Sequence, residues 1–539
     1  MLELELWGGH ECTVLRAGDA VVDQNERSGH VGRPSDLERF AALGVRALRY
    51  PVLWEHVSRE HPEARDWTFP DQSLGRLREL GVRPIVGLVH HGSGPAYTGL
   101  LDEGFAAGLG RHARSVAERY PWVEEWCPVN EPLTTARFSA LYGHWQPHAR
   151  DEASFWRALV NEVDAVRASM AAIREVVPHA RLVQTDDLGR TFSTPALAYQ
   201  ADFDNERRWL SWDLLCGRVD RTHPLWLHLE GAGLGDRLRA IADAPCPPDV
   251  IGINHYLTSD RFLDERLDRY PERTWGGNDR QRYADVEAVR VCVPGVPGFY
   301  GAILEAWDRY GLPVALTEVH NGSTREEQMR WMAEAWRSAE RARAEGIDVR
   351  GVTAWSLLGA YDWDSLLTRA AGHYERGVFD LAAGELRDTA MVPLLRALSA
   401  RKPLHPAAEE RGWWHRPMRL QFPAEPVDVR PSPLRSHDPT RPRLALVGDA
   451  RWTRDVARRC RLRGLAYHRR QRWSDAALER AWGVIVWEGS ESARASRACS
   501  DRGIPCVVLS PGRELDAALD ELLDREWSLL VDESTASAS

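Results

Sequence analysis

A chain of 539 residues is long for a single ordinary core, and its length predicts either two to four domains or one large barrel with an attachment. With 43% hydrophobic and 27% charged residues it has the composition of a globular protein, and a net charge of -10 argues against a nucleic-acid partner. Its eight cysteines form no C-x-x-C pair, which argues against a zinc site, and its single lysine, Lys402, excludes Schiff-base and P-loop chemistry.

The opening run, Met1-Leu2-Glu3-Leu4-Glu5-Leu6-Trp7, alternates acids with apolar residues. It predicts neither a signal peptide nor a membrane span, and so a cytoplasmic location. From there to about residue 400, short apolar runs alternate with amphipathic segments. Strands are expected at Leu2 to Gly8, Ala47 to Trp54, Pro84 to His91, Val123 to Asn130, Arg181 to Asp187, Val250 to Tyr256, Pro313 to Glu318 and Gly351 to Leu357. Helical patterns at Ser35 to Leu43, Asp71 to Leu80, Gly104 to Arg119, Glu152 to Val176, Phe299 to Tyr310 and Thr324 to Ala344 fall between them. This alternation predicts a (β/α)8 TIM barrel over residues 1–400, with a doubly wound open sheet as the alternative. Residues 401–441, crowded with proline, arginine and paired tryptophans, predict an extended linker. Residues 442–527 predict a small α/β unit, with strands beginning at Arg443, Gly483 and Pro505 and helices at Thr453 to Arg463 and Ser492 to Arg502. The tail, 528–539, is polar.

In such a barrel the loops after the strands converge on one mouth, so the C-terminal strand ends carry the chemistry. They hold Arg49, His90 and His91, Asn130 and Glu131, Asp186 and Asp187, Asn254 with His255 and Tyr256, Glu318, and Trp355. The set is rich in carboxylates, hydroxyl-binding groups and aromatics, and it has no repeated histidine spacing that would suggest a metal. Alone, Trp126-Cys127-Pro128-Val129-Asn130-Glu131-Pro132 reads as well as a surface turn, with the proline biasing Glu131 toward an extended conformation. A second apolar strand, Leu312-Pro313-Val314-Ala315-Leu316-Thr317-Glu318, also ends on a glutamate, and the two together predict a paired-carboxylate site. Glycoside cleavage needs one carboxylic acid to protonate the leaving oxygen and a second carboxylate across the sugar. At about 5 Å separation the second attacks directly and configuration is retained; a wider gap admits water and inverts it. On this hypothesis Glu131 is the acid/base and Glu318 the nucleophile, with Arg49 holding Glu318 ionised and Tyr256 donating a hydrogen bond to it. Glu131 must start protonated, in a less polar spot near the charge of Glu318.

Further runs join these two in order along the chain: Ala47-Leu48-Arg49-Tyr50-Pro51-Val52-Leu53-Trp54, Asp249-Val250-Ile251-Gly252-Ile253-Asn254-His255-Tyr256, Leu316-Thr317-Glu318 with Asn321-Gly322, and Ala354-Trp355-Ser356-Leu357-Leu358. Over about residues 1–400 the set resembles the motifs of glycoside hydrolase family 1, the β-glucosidase-like retaining enzymes. The resemblance implies a retaining β-glycosidase working by double displacement through Glu131 and Glu318, with a glycoside or oligosaccharide substrate and no metal or organic cofactor. It also implies sugar contacts from His91, Asn130, Asn254, Trp355, Asp362 and Trp363. The departures fall on sugar recognition. Gly8-Gly9-His10-Glu11-Cys12 lacks the family's glutamine, His91-Gly92-Ser93 keeps a histidine but loses the following tryptophan, and Asp362-Trp363 is one methylene short of the family's glutamate-tryptophan pair. Glycone and aglycone are therefore left open.

In the C-terminal unit, Leu446-Val447-Gly448-Asp449-Ala450-Arg451 resembles the opening of the dTDP-4-dehydrorhamnose reductase type of Rossmann domain. A lone glycine does not supply the turn that admits a pyrophosphate. No lysine follows Lys402 to complete a Tyr-x-x-x-Lys pair, so no NAD(P) is expected. Three alternatives stay open: a transglycosidase or sugar-nucleotide-linked biosynthetic enzyme, a catalytically silent carbohydrate-binding or scaffold protein, and a reductase acting through the C-terminal unit.

Overall fold

The computed structural model describes residues 3–18, 20–381, 385–427, 443–462, 465, 467–478 and 481–523. The expected polar tail, the end of the expected linker (428–441) and Arg463 lie outside the described residues. The chain divides into two units, 1–303 with 312–429, and 304–311 with 430–539.

In the first unit eight parallel strands close into a barrel: β1 Glu5–Gly9, β2 Ala47–Pro51, β3 Arg83–His90, β4 Glu125–Asn130, β5 Arg181–Asp187, β6 Val250–Asn254, β7 Val314–Val319 and β8 Val349–Ala354. Closure excludes the open-sheet alternative, because β8 pairs with β1, with Glu5 opposite Gly351 and Gly8 opposite Ala354. The strands are buried almost throughout, as parallel strands with helices outside and side chains inside must be. Trp7, Ala47, Ile85, Cys127, Val183, Val250 and Ala315, one residue from each of β1 to β7, form a buried cluster in the barrel interior. β8 contributes Gly351, where a Cβ would stand 2.4 Å from the Trp7 indole, so the absent side chain makes room for the large ring.

β5 and the helix Glu152–Val176 fall where the sequence pattern puts them, while other strand ends move by up to three residues. β6 stops at Asn254, which leaves His255 and Tyr256 in the following loop. The sequence reading missed a four-stranded sheet, in the order Trp275–Gly277, Arg282–Glu287, Arg261–Asp264, Thr191–Ser193, built from the loops after β5 and β6. Its strands are short, and although Trp275–Gly277 and Arg282–Glu287 form a local hairpin, the pairings to Arg261–Asp264 and Thr191–Ser193 join more distant segments. Residues 401–427 pack against the barrel's own elements. Trp414 lies edge-on to Trp331, 5.0 Å between ring centres, and Arg419 donates to the carbonyls of Val289 and Val293.

The second unit has a four-stranded parallel sheet, with Arg443–Val447 between Tyr467–Arg470 and Ala481–Trp487, and Cys506–Leu509 at the far edge. The strand Tyr467–Arg470 and the helix Leu515–Leu523 were not expected; the former is too polar to read as a strand from its own residues. Among the described residues no helix is long and apolar enough to cross a membrane.

Candidate active site

β4 ends on Asn130, and Glu131 follows it at the barrel mouth. The expected extended conformation of Glu131 is corrected by the structure: its φ is 48° and ψ 64°, in the left-handed region. Its N–H donates to the Thr185 carbonyl on β5 (3.2 Å) and its carbonyl accepts from Thr135 N (2.9 Å), opening the short helix Pro132–Ala136. A residue before proline is kept out of the right-handed helical region. Turning from strand to helix with both backbone groups tied therefore takes the left-handed solution, at a cost of order 1–3 kcal/mol for a non-glycine residue. Asp186 at the end of β5 braces this turn, accepting from Leu133 N (3.0 Å) and Thr134 Oγ1 (3.2 Å).

Glu318, near the end of β7, sits in a different setting. Arg49 Nη1 donates to Glu318 Oε1 (2.7 Å) and to the Thr317 carbonyl (2.8 Å), while Arg49 Nη2 reaches Asn130 Oδ1 (2.6 Å). The Tyr256 hydroxyl donates to Glu318 Oε2. Asn254 makes a second bridge across the mouth, donating to Glu131 Oε1 and accepting from Thr317 Oγ1 (2.7 Å). Both of its polar atoms are thus engaged by protein.

The electrostatics separate the two glutamates, which are only 4% and 3% exposed. Glu131 is held well above the usual carboxylate range, first by burial and then by the charges of Glu318, Asp187 and Asp186. Glu318 is raised by burial too, but Arg49 and Tyr256 oppose the rise. Glu131 is therefore the better proton holder and Glu318 the better anion. Tyr256 remains a phenol, because burial and the nearby carboxylates push its pKa well above the ordinary value.

The other expected residues are divided between the site and its supports. His91 has Nδ1 3.0 Å from Thr135 Oγ1 and Nε2 3.9 Å from Glu131 Oε2. Burial pushes its pKa down to about 3, so its ring is neutral. Asn130 Nδ2 lies 3.3 Å from Nε2 of both His90 and His91. Trp355 is packed, with His90 stacked on it at 5.4 Å and the Arg49 guanidinium 4.6 Å from its ring centre. Asp362 is fully buried, with Oδ2 paired to Arg27 (2.6 Å) and Oδ1 accepting from His373 N (2.7 Å). Trp363 stands beside His91 and Trp145, and its indole N–H is buried without an acceptor among the described residues. Around it Leu15, Trp145 and Leu367 make an apolar cluster at the mouth.

Sequence reasoning missed Glu11 as a site residue. It follows β1 by two residues, accepts from Thr13 N (2.9 Å) and Thr13 Oγ1 (2.5 Å), and interacts with the charges of Glu318 and Arg49. Burial raises its pKa to about 7. The polar run His10-Glu11-Cys12-Thr13 directly after a strand was the available signal. Among the described residues no three His, Cys, Asp or Glu side chains group as metal ligands.

A (β/α)8 barrel with two buried glutamates at its mouth, one of them steadied by an arginine and a tyrosine, is thus the class defined by fold and site. No protein-family model matches the chain. It is 23% identical over 412 residues to Beta-glucosidase 4 of Oryza sativa subsp. japonica, a match covering 66% of this chain and 80% of the rice protein. It is also 23% identical over 377 residues to Beta-glucosidase A of Thermotoga maritima, covering 64% of this chain and 80% of that one. Among solved structures, the family 1 β-glucosidase from Thermotoga maritima superposes with a TM-score of 0.60 at 18% identity, over 75% of this chain and 99% of the other. The barrel of this chain has the fold of the β-glucosidases.

Proposed function

We propose that this protein is a retaining β-glycosidase that hydrolyses O-glycosidic bonds through Glu131 and Glu318. The observation that carries the reading is the pair of bridges, Arg49 from Glu318 to Asn130 and Asn254 from Glu131 to Thr317, which tie the two glutamates to one mouth in opposite states. Relatives named β-glucosidase support it, as does a structural neighbour from Thermotoga maritima described in complex with deoxynojirimycin.

In the proposed reaction Glu318 attacks the anomeric carbon while Glu131 gives its proton to the departing oxygen, leaving a glycosyl ester on Glu318. Glu131, now ionised, takes a proton from water, and the resulting hydroxyl displaces Glu318 and restores both groups. Arg49 and Tyr256 favour the ionised nucleophile between turnovers, and Asn254 orients the acid. The buried indole N–H of Trp363 is a donor available to a sugar hydroxyl. In the C-terminal unit the strand order, second, first, third, fourth along the chain, supports a doubly wound α/β reading in the flavodoxin-like order, without the third strand that flanks the second in the classic Rossmann order. There a Cβ on Gly448 would stand 2.4 Å from the Trp452 indole, itself stacked on Trp487, which supports a loop filled by protein side chains rather than by a dinucleotide.

The test is Glu318→Ala on an activated aryl β-glycoside. Turnover should vanish and return in part with azide, which takes the place of the missing carboxylate; a fully active variant would refute the assignment.

A further inference from the structure

The short helix that begins at Glu131 runs on into a wider helical turn, Arg137–Leu141, and the first residue of that turn is a half-buried arginine. Its guanidinium rests near the rings of Phe138 (6.0 Å) and Tyr142 (5.6 Å), and Nη2 is 3.4 Å from the Tyr142 hydroxyl. Among the described residues no carboxylate is in ion-pair contact with Arg137, although the charges of Asp204 and Asp187 reach it from further off, and its Nε is buried with no acceptor. Arg207, by contrast, is paired with Asp204 at 2.7 Å. A buried guanidinium N–H left unmatched is costly, so it is usually satisfied by some anion or acceptor.

A second observation gives the sign of the field at this place. Burial and the charge of Asp204 would raise the Tyr142 hydroxyl, yet Arg137 and Arg207 outweigh them and hold that hydroxyl below its ordinary value. In a protein of net charge -10 the field at this hydroxyl is thus positive despite the nearby Asp204, on a residue that is 38% exposed as a whole.

Position links the spot to the chemistry. Arg137 and Tyr142 lie on the loop after β4, and Asp204 and Arg207 on the segment after β5. Phe138 packs on Trp145 (5.1 Å), Trp145 on His91 (5.3 Å), and His91 lies 3.9 Å from Glu131. This run of contacts leads from the Glu131 carboxyl to the ring on which the Arg137 guanidinium rests.

We propose that Arg137, with the Tyr142 hydroxyl and the nearby charge of Arg207, holds an anionic group, a carboxylate or a phosphate, on the leaving part of the substrate. The inference rests on the role given above to Glu131 and adds the chemical class of the aglycone, an acidic one.

The test reads binding and not turnover. The full-length protein is titrated, by ligand-observed NMR, with 4-hydroxybenzoate, phenyl phosphate and the uncharged methyl 4-hydroxybenzoate. The acids should bind about 3- to 10-fold more tightly than the ester, as expected for one partly exposed charge contact. That ratio should fall toward one in Arg137→Gln, fall partway in Tyr142→Phe, and shrink in the wild type as salt is raised. The acid with the larger ratio identifies the anion. Equal binding of acid and ester, or a preference that survives Arg137→Gln, overturns the proposal. If that variant does not fold, a ratio insensitive to both salt and Tyr142→Phe overturns it equally. None of these results depends on Glu318, so the site can fail while the glycosidase reading stands on azide rescue, and the reverse.

Discussion

Replacing Arg49 with methionine keeps most of its volume and removes its charge. Arg49 Nη1 and Glu318 Oε1 are 2.7 Å apart, with the two side chains 6% and 4% exposed. At an effective dielectric of about 20 that separation corresponds to an attraction of about 6 kcal/mol, much of it offset by the desolvation of two ions. What survives as a preference for the ionised carboxylate beside such a cation is about 1–3 pH units, or about 1.4–4 kcal/mol. Glu318 already lies above the usual range, because burial outweighs Arg49 and Tyr256. Losing Arg49 therefore pushes it further toward neutrality. The nucleophile must be ionised to attack, so the acidic limb of the kcat/KM profile should move up by about 1–3 pH units. On that limb the variant should be slower by about 10- to 1000-fold. The assay is kcat/KM for an activated aryl β-glycoside as a function of pH, with circular dichroism to verify that the variant is folded. A folded Arg49→Met protein whose acidic limb coincides with that of the wild type refutes the reasoning, since Arg49 would then not govern the ionisation of Glu318.

Glu131→Gln should lower kcat/KM, which reads the first step, by about 100- to 10,000-fold for aryl glycosides with poor leaving groups while sparing well-activated ones, although kcat falls for all because Glu131 also activates the water; equal losses of kcat/KM across the series contradict the acid role. Glu11 holds its proton more tightly in the folded protein, near pH 7, than an ordinary carboxyl at 4.5. The wild type should therefore lose stability as pH rises between those values, and Glu11→Gln should lose less, since Glu55 and Asp186, also raised by burial, titrate in the same window in both proteins. The difference should grow to at most about 3 kcal/mol in urea unfolding at either end of the window, and parallel behaviour of the two proteins refutes it. Gly351→Ala should destabilise the barrel by about 1–3 kcal/mol, because the added methyl meets the Trp7 ring; an unchanged melting temperature would mean that the indole moves aside without cost.

Much of the barrel is legible along the chain because its signals are local. A buried parallel strand is an apolar run, and β5 and the helix Glu152–Val176 are read to the residue. Glu131 and Glu318 stand out for the same reason, each being a carboxylate ending such a run. The short strands of the sheet Trp275–Gly277, Arg282–Glu287, Arg261–Asp264 and Thr191–Ser193 carry no comparable signal, since each has only three to six residues and the last two are placed by partners distant in sequence.

The sequence by itself determined the alternation of strands and helices, the residues at the strand ends, and the two glutamates with their candidate supports. Only the tertiary structure decided what those residues touch. It set Glu131 in the left-handed region, because the backbone between β4 and its helix is tied to β5. It made Asn254 a bridge between Glu131 and Thr317, paired Asp362 with Arg27, and brought Glu11 to the mouth. Arg49 and Glu318 are 269 positions apart, and no local pattern encodes their 2.7 Å contact; closure of the barrel by β8 against β1 is what brings the ends of all eight strands into reach of one another.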